Sequence, residues 1–255
     1  MLVLVWKRAD LRESSRLVTF LSAERGRFTA LAKGAHRGNS ATLGKLDFLN
    51  RCEITLSGRG FPLLSRIALV HEPRALRSPP RFLWAMHFAE LFDAALLPDH
   101  PDRELFELAL GTFTLVERSE PRRLPVVAAA VELRLLRALG LLPEFGVCSA
   151  CGDALSAAQP AFTARREAGL LCERHRGEGA LTVALPVRAW LPRLVAAKGR
   201  ELPALELGPA LGPILALAGR WVEAGLERRL QYRALALANQ DADFPSTDAS
   251  AGMRR

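Results

Sequence analysis

The hydrophobic pattern of the chain changes its period at Pro79-Pro80, and this change constrains the fold more than any other feature. Before it, apolar and polar residues alternate over short runs, as they do in half-buried β-strands. In the clearest run, 49–57, Cys52, Ile54 and Leu56 fall on one face. Beyond it, apolar residues recur at helical spacing at positions 85, 88, 92 and 95. The pattern therefore predicts an α+β protein, with a β part followed by a helical part.

Five strands are predicted in the β part, at 2–7, 16–21, 27–33, 49–57 and 63–70. Five short strands joined by turns fit an OB-like five-stranded β-barrel, although an SH3-like barrel would give almost the same pattern. Aromatic residues of this part are interpreted as barrel core rather than as platforms for bases: Trp6, Phe20, Phe28, Phe48 and Phe61. We expect residues 1–78 to form this domain, with the polar, glycine-rich segment 34–42 as a loop.

The helical domain is predicted at 79–237. Helices are expected at 102–117, with Asp102 as its N-cap, at 125–139, ending at Gly140, and at 187–198 and 213–237. Residues 143–182 interrupt the helical pattern and are interpreted as an insertion. The segment 238–255 is polar, contains Pro and Ser, and is predicted to be a disordered tail.

Charge is concentrated at the front of the chain. The net charge is +8, and residues 1–70 hold twelve basic and five acidic side chains, which leaves +1 for the other 185 residues. Such a segment favours a polyanionic partner, either nucleic acid or an anionic membrane surface. No apolar run approaches the roughly 20 residues that span a bilayer, and residues 1–7 lack the charged leader of a signal peptide, so we expect a cytoplasmic protein.

Eight basic residues are candidate phosphate ligands. They are Arg16, Arg27, Lys33, Arg37 and Lys45, followed by Arg8, Arg12 and Arg51. Arg27 and Lys33 share one face of a predicted strand, and Arg37 lies in the expected loop. Any one of them could instead be an ordinary solvated surface charge.

Three cysteines and one histidine form the pattern C-x2-C-x20-C-x2-H. Its members are Cys148, Cys151, Cys172 and His175. Zinc takes four such ligands as a tetrahedron, and a site filled by four protein ligands is structural. A hairpin of 162–166 and 169–172 would return the second pair to the first. The alternatives are free thiols or a redox pair, but no thioredoxin-like βαβ setting is visible. His175 is the least certain ligand, because it could be a surface residue.

Several blocks of the sequence resemble the RecO family. These are 10–21, 24–37, 132–136 and 139–143, followed by Cys148-x-x-Cys151-Gly152, and their order and separation also match over about 1–237. The resemblance implies an OB fold and a helical domain carrying a zinc-finger-like insertion. It implies a non-enzymatic, nucleoid-associated mediator that binds and anneals single- and double-stranded DNA. Such a mediator works with RecR and single-stranded-DNA-binding protein to load a recombinase. Zinc-bearing members often have four cysteines, and His175 stands where the fourth would be.

Two other functions remain to be weighed. One is a protein-binding scaffold with little DNA contact, whose groove near the predicted 213–237 helix would receive an acidic peptide on Arg220, Arg228, Arg229 and Arg233. The other is an enzyme, which the sequence disfavours because it shows no phosphate-binding P-loop, nucleophile elbow or paired-carboxylate motif. The oligomeric state, the stoichiometry with RecR, the partner-contacting residues and the role of the tail stay open.

Overall fold

The structure is a computed structural model, and it describes residues 1–11, 14–35, 42, 44–58, 60–165 and 167–239. Its first five strands are β1 (Leu2–Leu11), β2 (Ser15–Ser22), β3 (Gly26–Ala32), β4 (Arg51–Ser57) and β5 (Leu63–His71). They close into a barrel in the order β1-β2-β3-β5-β4, with β4 paired to β1 and β3 parallel to β5 at Leu31 and Leu63. A parallel contact requires a crossover, as in the Greek-key OB barrel, so the predicted OB-like barrel is confirmed.

Alternation of side chains along the strands builds the barrel core. In β3, Phe28, Ala30 and Ala32 point inward, while the residues between them are half-buried. Cys52 is fully buried, and this burial raises the pKa of its thiol to about 11. The interpretation of Phe61 as barrel core is wrong, because it lies in the loop between β4 and β5 and is 56 % exposed. Trp6 and Phe48 also lie outside the barrel core, since both pack against the core of the helical body.

In the described part of the chain, six α-helices follow the barrel: α1 (Pro79–Ala95), α2 (Arg103–Arg118), α3 (Leu124–Ala138), α4 (Leu185–Ala196), α5 (Leu211–Gly225) and α6 (Gln231–Ala238). Helix α3 is buried almost all round and packs against α2, α4 and α5. Asp102 caps α2 by accepting a hydrogen bond from the Leu105 N–H at 2.9 Å, as predicted. Gly140 follows α3 with φ +69°, a conformation that suits a helix C-cap glycine.

The prediction of a single helix at 213–237 is wrong, because the structure contains two helices in this region. Helix α5 ends at Gly225, Glu227 adopts φ +50°, and α6 begins at Gln231. Glu90 of α1 accepts the otherwise unpaired N–H groups of Gln231 and Tyr232 at 3.0 and 3.1 Å. A carboxylate from a distant helix therefore replaces a local cap, which local sequence patterns do not reveal.

A buried ion pair holds α6 against the body. Arg233 donates to both carboxylate oxygens of Glu132, at 2.7 and 3.0 Å, and the Nε2 of His87 lies 3.0 Å from the same carboxylate. Burial works to raise the pKa of Glu132, but Arg233 and His87 hold that pKa below its usual value. Gly219 leaves room for this arrangement, since a Cβ there would lie 2.4 Å from the Arg233 guanidinium carbon. The pair thus joins α1, α3, α5 and α6.

Candidate metal centre and nucleic-acid interface

The structure brings all four predicted metal ligands together. The ligand atoms of Cys148, Cys151, Cys172 and His175 all lie within 4.8 Å of one another. The Nδ1 of His175 is 3.2 Å from the Cys172 Sγ and 3.8 Å from the Cys148 Sγ. Ligands of a tetrahedral zinc ion stand roughly 3.5–3.8 Å apart, so the spacing fits such an ion. His175, the least certain ligand by sequence, takes its place in the cluster.

Two tight turns present the four ligands. In the first, the Gly152 N–H donates to the Cys148 carbonyl at 2.8 Å, and Gly152 adopts φ +75°, which favours glycine at this position. In the second, a single 3₁₀ turn (Glu173–His175) follows Cys172, and the His175 N–H donates to the Cys172 carbonyl at 3.1 Å. Each two-residue spacing therefore places its pair of side chains on the same side of a turn.

The pKa values of the clustered thiols are also consistent with a cation bound between them. Burial works to raise the pKa of Cys148, but N–H groups, led by that of Cys172, outweigh it and lower that pKa. The pKa of Cys151 rises to about 11, although the Asp153 N–H works to lower it, because burial and neighbouring side chains favour the neutral thiol. Three thiols this close cannot all ionise without a positive ion among them, and thiolates are the form that binds zinc. The described residues therefore form a group that could hold a metal ion.

The hairpin predicted for the insertion is only partly present. Phe162 and Leu171 exchange two backbone hydrogen bonds, of 3.0 and 2.7 Å, which does return the chain toward the first turn. The ladder itself, however, pairs β6 (Ala161–Thr163) with β7 (Leu181–Val183). The prediction missed β7 because three residues carry too little alternation to mark a strand. The Nε1 of Trp221 donates to the Thr163 hydroxyl at 3.2 Å and anchors the insertion to α5.

Two of the candidate DNA ligands face the helical body. Arg27 donates to the Asp93 carboxylate of α1 at 2.7 Å, and the same carboxylate accepts from Lys7 at 2.8 Å and from the Trp6 Nε1 at 3.1 Å. Arg51 donates to the Thr114 hydroxyl of α2 at 2.7 Å, and its burial lowers its pKa. These contacts fix the barrel on the helices. Asp93 carries no sequence signal of this role, because its partners lie more than 60 residues away.

The other candidates that the structure describes lie elsewhere on the barrel domain. Arg8 pairs with Asp47, Arg16 pairs with Asp10 at 2.8 Å, and Lys45 donates to the Ile67 carbonyl at 3.3 Å. Lys33 is exposed and, within the part of the chain that the structure describes, makes no hydrogen bond or ion pair. Arg12, Arg37 and the tail beyond Asn239 lie outside the described residues. None of the described helices is long and apolar enough to cross a membrane.

Fold and site together define a class: an OB-barrel protein with a helical body and an insertion whose Cys₃His group could hold a metal ion. Comparison with protein-family models shows which family this protein belongs to. Residues 3–72 match the model described as "Recombination protein O N terminal", and residues 76–234 match "Recombination protein O C terminal". The chain therefore belongs to the RecO family of DNA repair proteins.

Individual relatives agree with the family models. The DNA repair protein RecO of Heliobacterium modesticaldum is 32% identical over 216 residues, which is 82% of this chain and 77% of that protein. That of Symbiobacterium thermophilum is 30% identical over 231 residues, covering 88% of this chain and 90% of the relative. That of Anaeromyxobacter sp. (strain K) is 33% identical over 172 residues, 66% of each chain. The similarity thus extends across both the barrel and the helical body.

Proposed function

We propose that this protein binds single- and double-stranded DNA through its barrel, anneals complementary strands and helps to load a recombinase onto single-stranded DNA. It does so without catalysing a reaction, at the nucleoid, and together with RecR and single-stranded-DNA-binding protein. One observation supports this proposal most strongly: the closed OB barrel holds nearly all of the net positive charge of the chain. The chain also belongs to a family of DNA repair proteins. Basic side chains on such a barrel displace counterions from phosphates without reading the sequence.

The positions of the cations divide their roles in this proposal. Lys33 is exposed and has no acidic partner in the described chain, so it is the first candidate to contact a phosphate. Arg16 and Arg8 pair with acids that are themselves 64 % and 39 % exposed, and exposed pairs are weak enough for a phosphate to replace the acid. Lys45, Arg12 and Arg37 complete this group. Arg27 and Arg51 do not belong to this group, because they hold the barrel on α1 and α2.

We assign zinc to the metal centre. Three thiolates and one imidazole are the donors that zinc prefers, and four protein ligands leave no position for a substrate. The metal would therefore be structural and would fix the two turns of the insertion against each other. Metal content measured on protein purified without chelator tests the assignment, and we expect one zinc per chain.

A salt titration of DNA binding tests the main proposal. Anisotropy of labelled single-stranded DNA is measured at several salt concentrations for the protein and for Lys33→Ala and Arg16→Ala. Each substitution should weaken binding and reduce the slope of log K against log salt by about 0.7, the value for one phosphate contact on a single strand. Arg229→Ala, an exposed arginine of the helical body, is the matched control and should change the slope little.

The second candidate function is the protein-binding scaffold. It is favoured by the observation that five of the six described candidate cations already have partners within the chain. Of the arginines first considered for an acidic peptide, Arg233 is committed to Glu132, while Arg228 and Arg229 remain exposed. Absence of DNA binding even at low salt would favour this function over the first.

A further inference from the structure

A pocket lies between the barrel domain and the start of α1, away from the metal centre. Its volume of about 330 Å³ falls within the range of small-ligand sites, which is roughly 300–1,000 Å³. The barrel domain contributes Arg8 of β1 and residues 47–50 to the lining. The short segment before α1 contributes Leu76 and Arg77, and α1 itself contributes Phe82. We call this cavity the junction pocket.

Asn50 lines the junction pocket and carries an acceptor without a partner. The residue is fully buried, and its Nδ2 donates to the carbonyls of Gly44 and Lys45 at 3.1 and 3.2 Å. Because both of these partners are carbonyls, they fix which end of the amide is the nitrogen. The Oδ1 at the other end receives no hydrogen bond within the described chain. A buried acceptor is costly when it is left unpaired, so this position favours a ligand that brings an N–H donor.

Phe82 offers an aromatic face to the junction pocket. Its side chain is 43 % exposed, and it stands in the first turns of α1. Aromatic side chains of this kind stack on the bases of single strands, and they do so with any base, because every base has a π-face. The barrel rings of Phe20 and Phe28 are buried and cannot serve in this way. The helical body thus provides a stacking surface next to the barrel.

Two exposed arginines place positive charge at the same pocket. Arg8 and Arg77 both pair with Asp47, and Arg77 also pairs with Glu72 at 2.7 Å. Pairs between exposed side chains are weak, so a phosphate can replace the acids. The junction pocket therefore combines an aromatic face, a buried acceptor and two guanidinium groups, which matches the three chemical parts of a nucleotide in a strand.

The register of β1 on β2 connects the junction pocket with the proposed phosphate contacts of the barrel. Arg8 is paired with Val18, and Asp10 is paired with Arg16. Residues two apart on a strand share a face, and so do directly paired residues. Arg8 and Arg16 consequently lie on one face of this ladder, where a single strand that contacts Arg16 can also reach the pocket.

We infer that the junction pocket holds one unpaired base of single-stranded DNA, which stacks on Phe82 and donates an N–H to the Asn50 Oδ1. The neighbouring phosphates contact Arg8 and Arg77. This inference rests on the proposed function, because it adds a base site to a surface that otherwise binds phosphates. A base within a duplex does not enter the pocket, since its faces are stacked and its Watson–Crick edge is already paired.

Two single strands that differ only in their bases test the inference. Fluorescence anisotropy at low salt compares a thymine strand with an abasic strand of the same length and charge. The protein should bind the thymine strand roughly tenfold more tightly, as expected for one stacked base. Phe82→Ala should abolish this preference without changing the affinity for the abasic strand, whereas Phe82→Trp should keep it. Phe61→Ala, the matched control, removes an exposed ring outside the pocket and should also keep it.

A modified base tests the Asn50 contact without a change in the protein. N3-methylthymine keeps the ring but lacks the imide N–H, so a strand of it should bind roughly threefold or more weakly than the thymine strand. This difference should disappear in Phe82→Ala. Asn50 itself stays unchanged, because its Nδ2 also holds the Gly44 and Lys45 carbonyls. Equal affinities of the original protein for the two strands contradict the proposal.

The outcomes separate this inference from the proposed function. Salt-dependent binding of the thymine and abasic strands with equal affinity overturns the base site and leaves the phosphate-binding barrel in place. Absence of binding to either strand at low salt overturns both. A preference for thymine that persists in Phe82→Ala shows that bases are held elsewhere, and it also overturns the assignment. Circular dichroism confirms that each variant is folded.

Discussion

The barrel and the insertion that carries the Cys₃His cluster are both small β units attached to the same helical body, but they are held together in different ways. The barrel has strands of seven to ten residues and a separate core, to which eleven buried residues of the described chain belong. The insertion has two strands of three residues, and three of its buried apolar residues belong to the core of the body: Ala161, Leu170 and Val183. The barrel can therefore keep its shape through its own hydrophobic core, whereas the insertion depends on its ligand cluster and on the body.

The two regions therefore differ in which of their residues stabilise the fold. Because apolar burial supplies the stability of the barrel, its surface cations can be used for binding. In the insertion, the four clustered polar residues would supply much of the stability by holding the proposed zinc ion. Substitutions in the two regions should accordingly affect different properties of the protein.

The largest effect is expected from loss of the metal. Cys148→Ser should abolish metal binding, because structural zinc contributes on the order of 10 kcal/mol at neutral pH. The measurements are metal content and hydrogen exchange, and faster exchange should be confined to the insertion. Cys52→Ala is the matched control, since it removes a buried thiol from the barrel and should leave the metal in place. Loss of DNA binding by folded Cys148→Ser protein would contradict the proposed independence of the two regions.

A smaller effect is expected from a cavity in the barrel. Phe20 is fully buried, and its ring lies 5.7 Å from that of Phe28. Phe20→Ala should lower the free energy of unfolding by about 3–5 kcal/mol, measured by urea titration, and should leave the metal content unchanged. Phe61→Ala removes an exposed ring of the same type and should change the stability by less than about 0.5 kcal/mol. Similar losses for both variants would show that the barrel lacks the independent core described here.

Local sequence patterns predicted most of the strands and helices. The features that they did not predict depend on contacts between residues far apart in the sequence. Alternation in the strand of Cys52 and Ile54 is visible along the chain, and so is the spacing of the metal ligands. The partner of a charged residue is not visible in this way. Arg27 and Lys33 look equivalent on one strand face, yet Arg27 is bound to Asp93, which lies 66 residues further along. The same reason explains the missed break before α6, where Glu90 supplies the cap from 141 residues away.

The smallest effect is expected at the junction between barrel and body. Burial works to raise the pKa of Asp93, but hydrogen bonds led by those from Lys7 and Trp6 outweigh it and hold the pKa below its usual value. A carboxyl whose pKa is lowered by folding stabilises the protein above its unfolded pKa of about 3.9, and this contribution is lost as the pH falls through the lower folded value. Asp93→Asn should therefore cost about 1 kcal/mol at pH 7, because the site is only half-buried.

Low pH and a second acid provide the controls for this prediction. The difference between Asp93→Asn and the original protein should shrink as the pH falls below about 4, since the original carboxyl is then increasingly protonated. Asp99→Asn removes a 72 % exposed acid that lies 3.8 Å from Arg25, and it should be nearly neutral at every pH. Because Arg27 and Lys7 hold the barrel on α1 through this carboxylate, Asp93→Asn should leave DNA binding at low salt nearly unchanged. Stronger binding would mean that these two cations, once released, also contact phosphates.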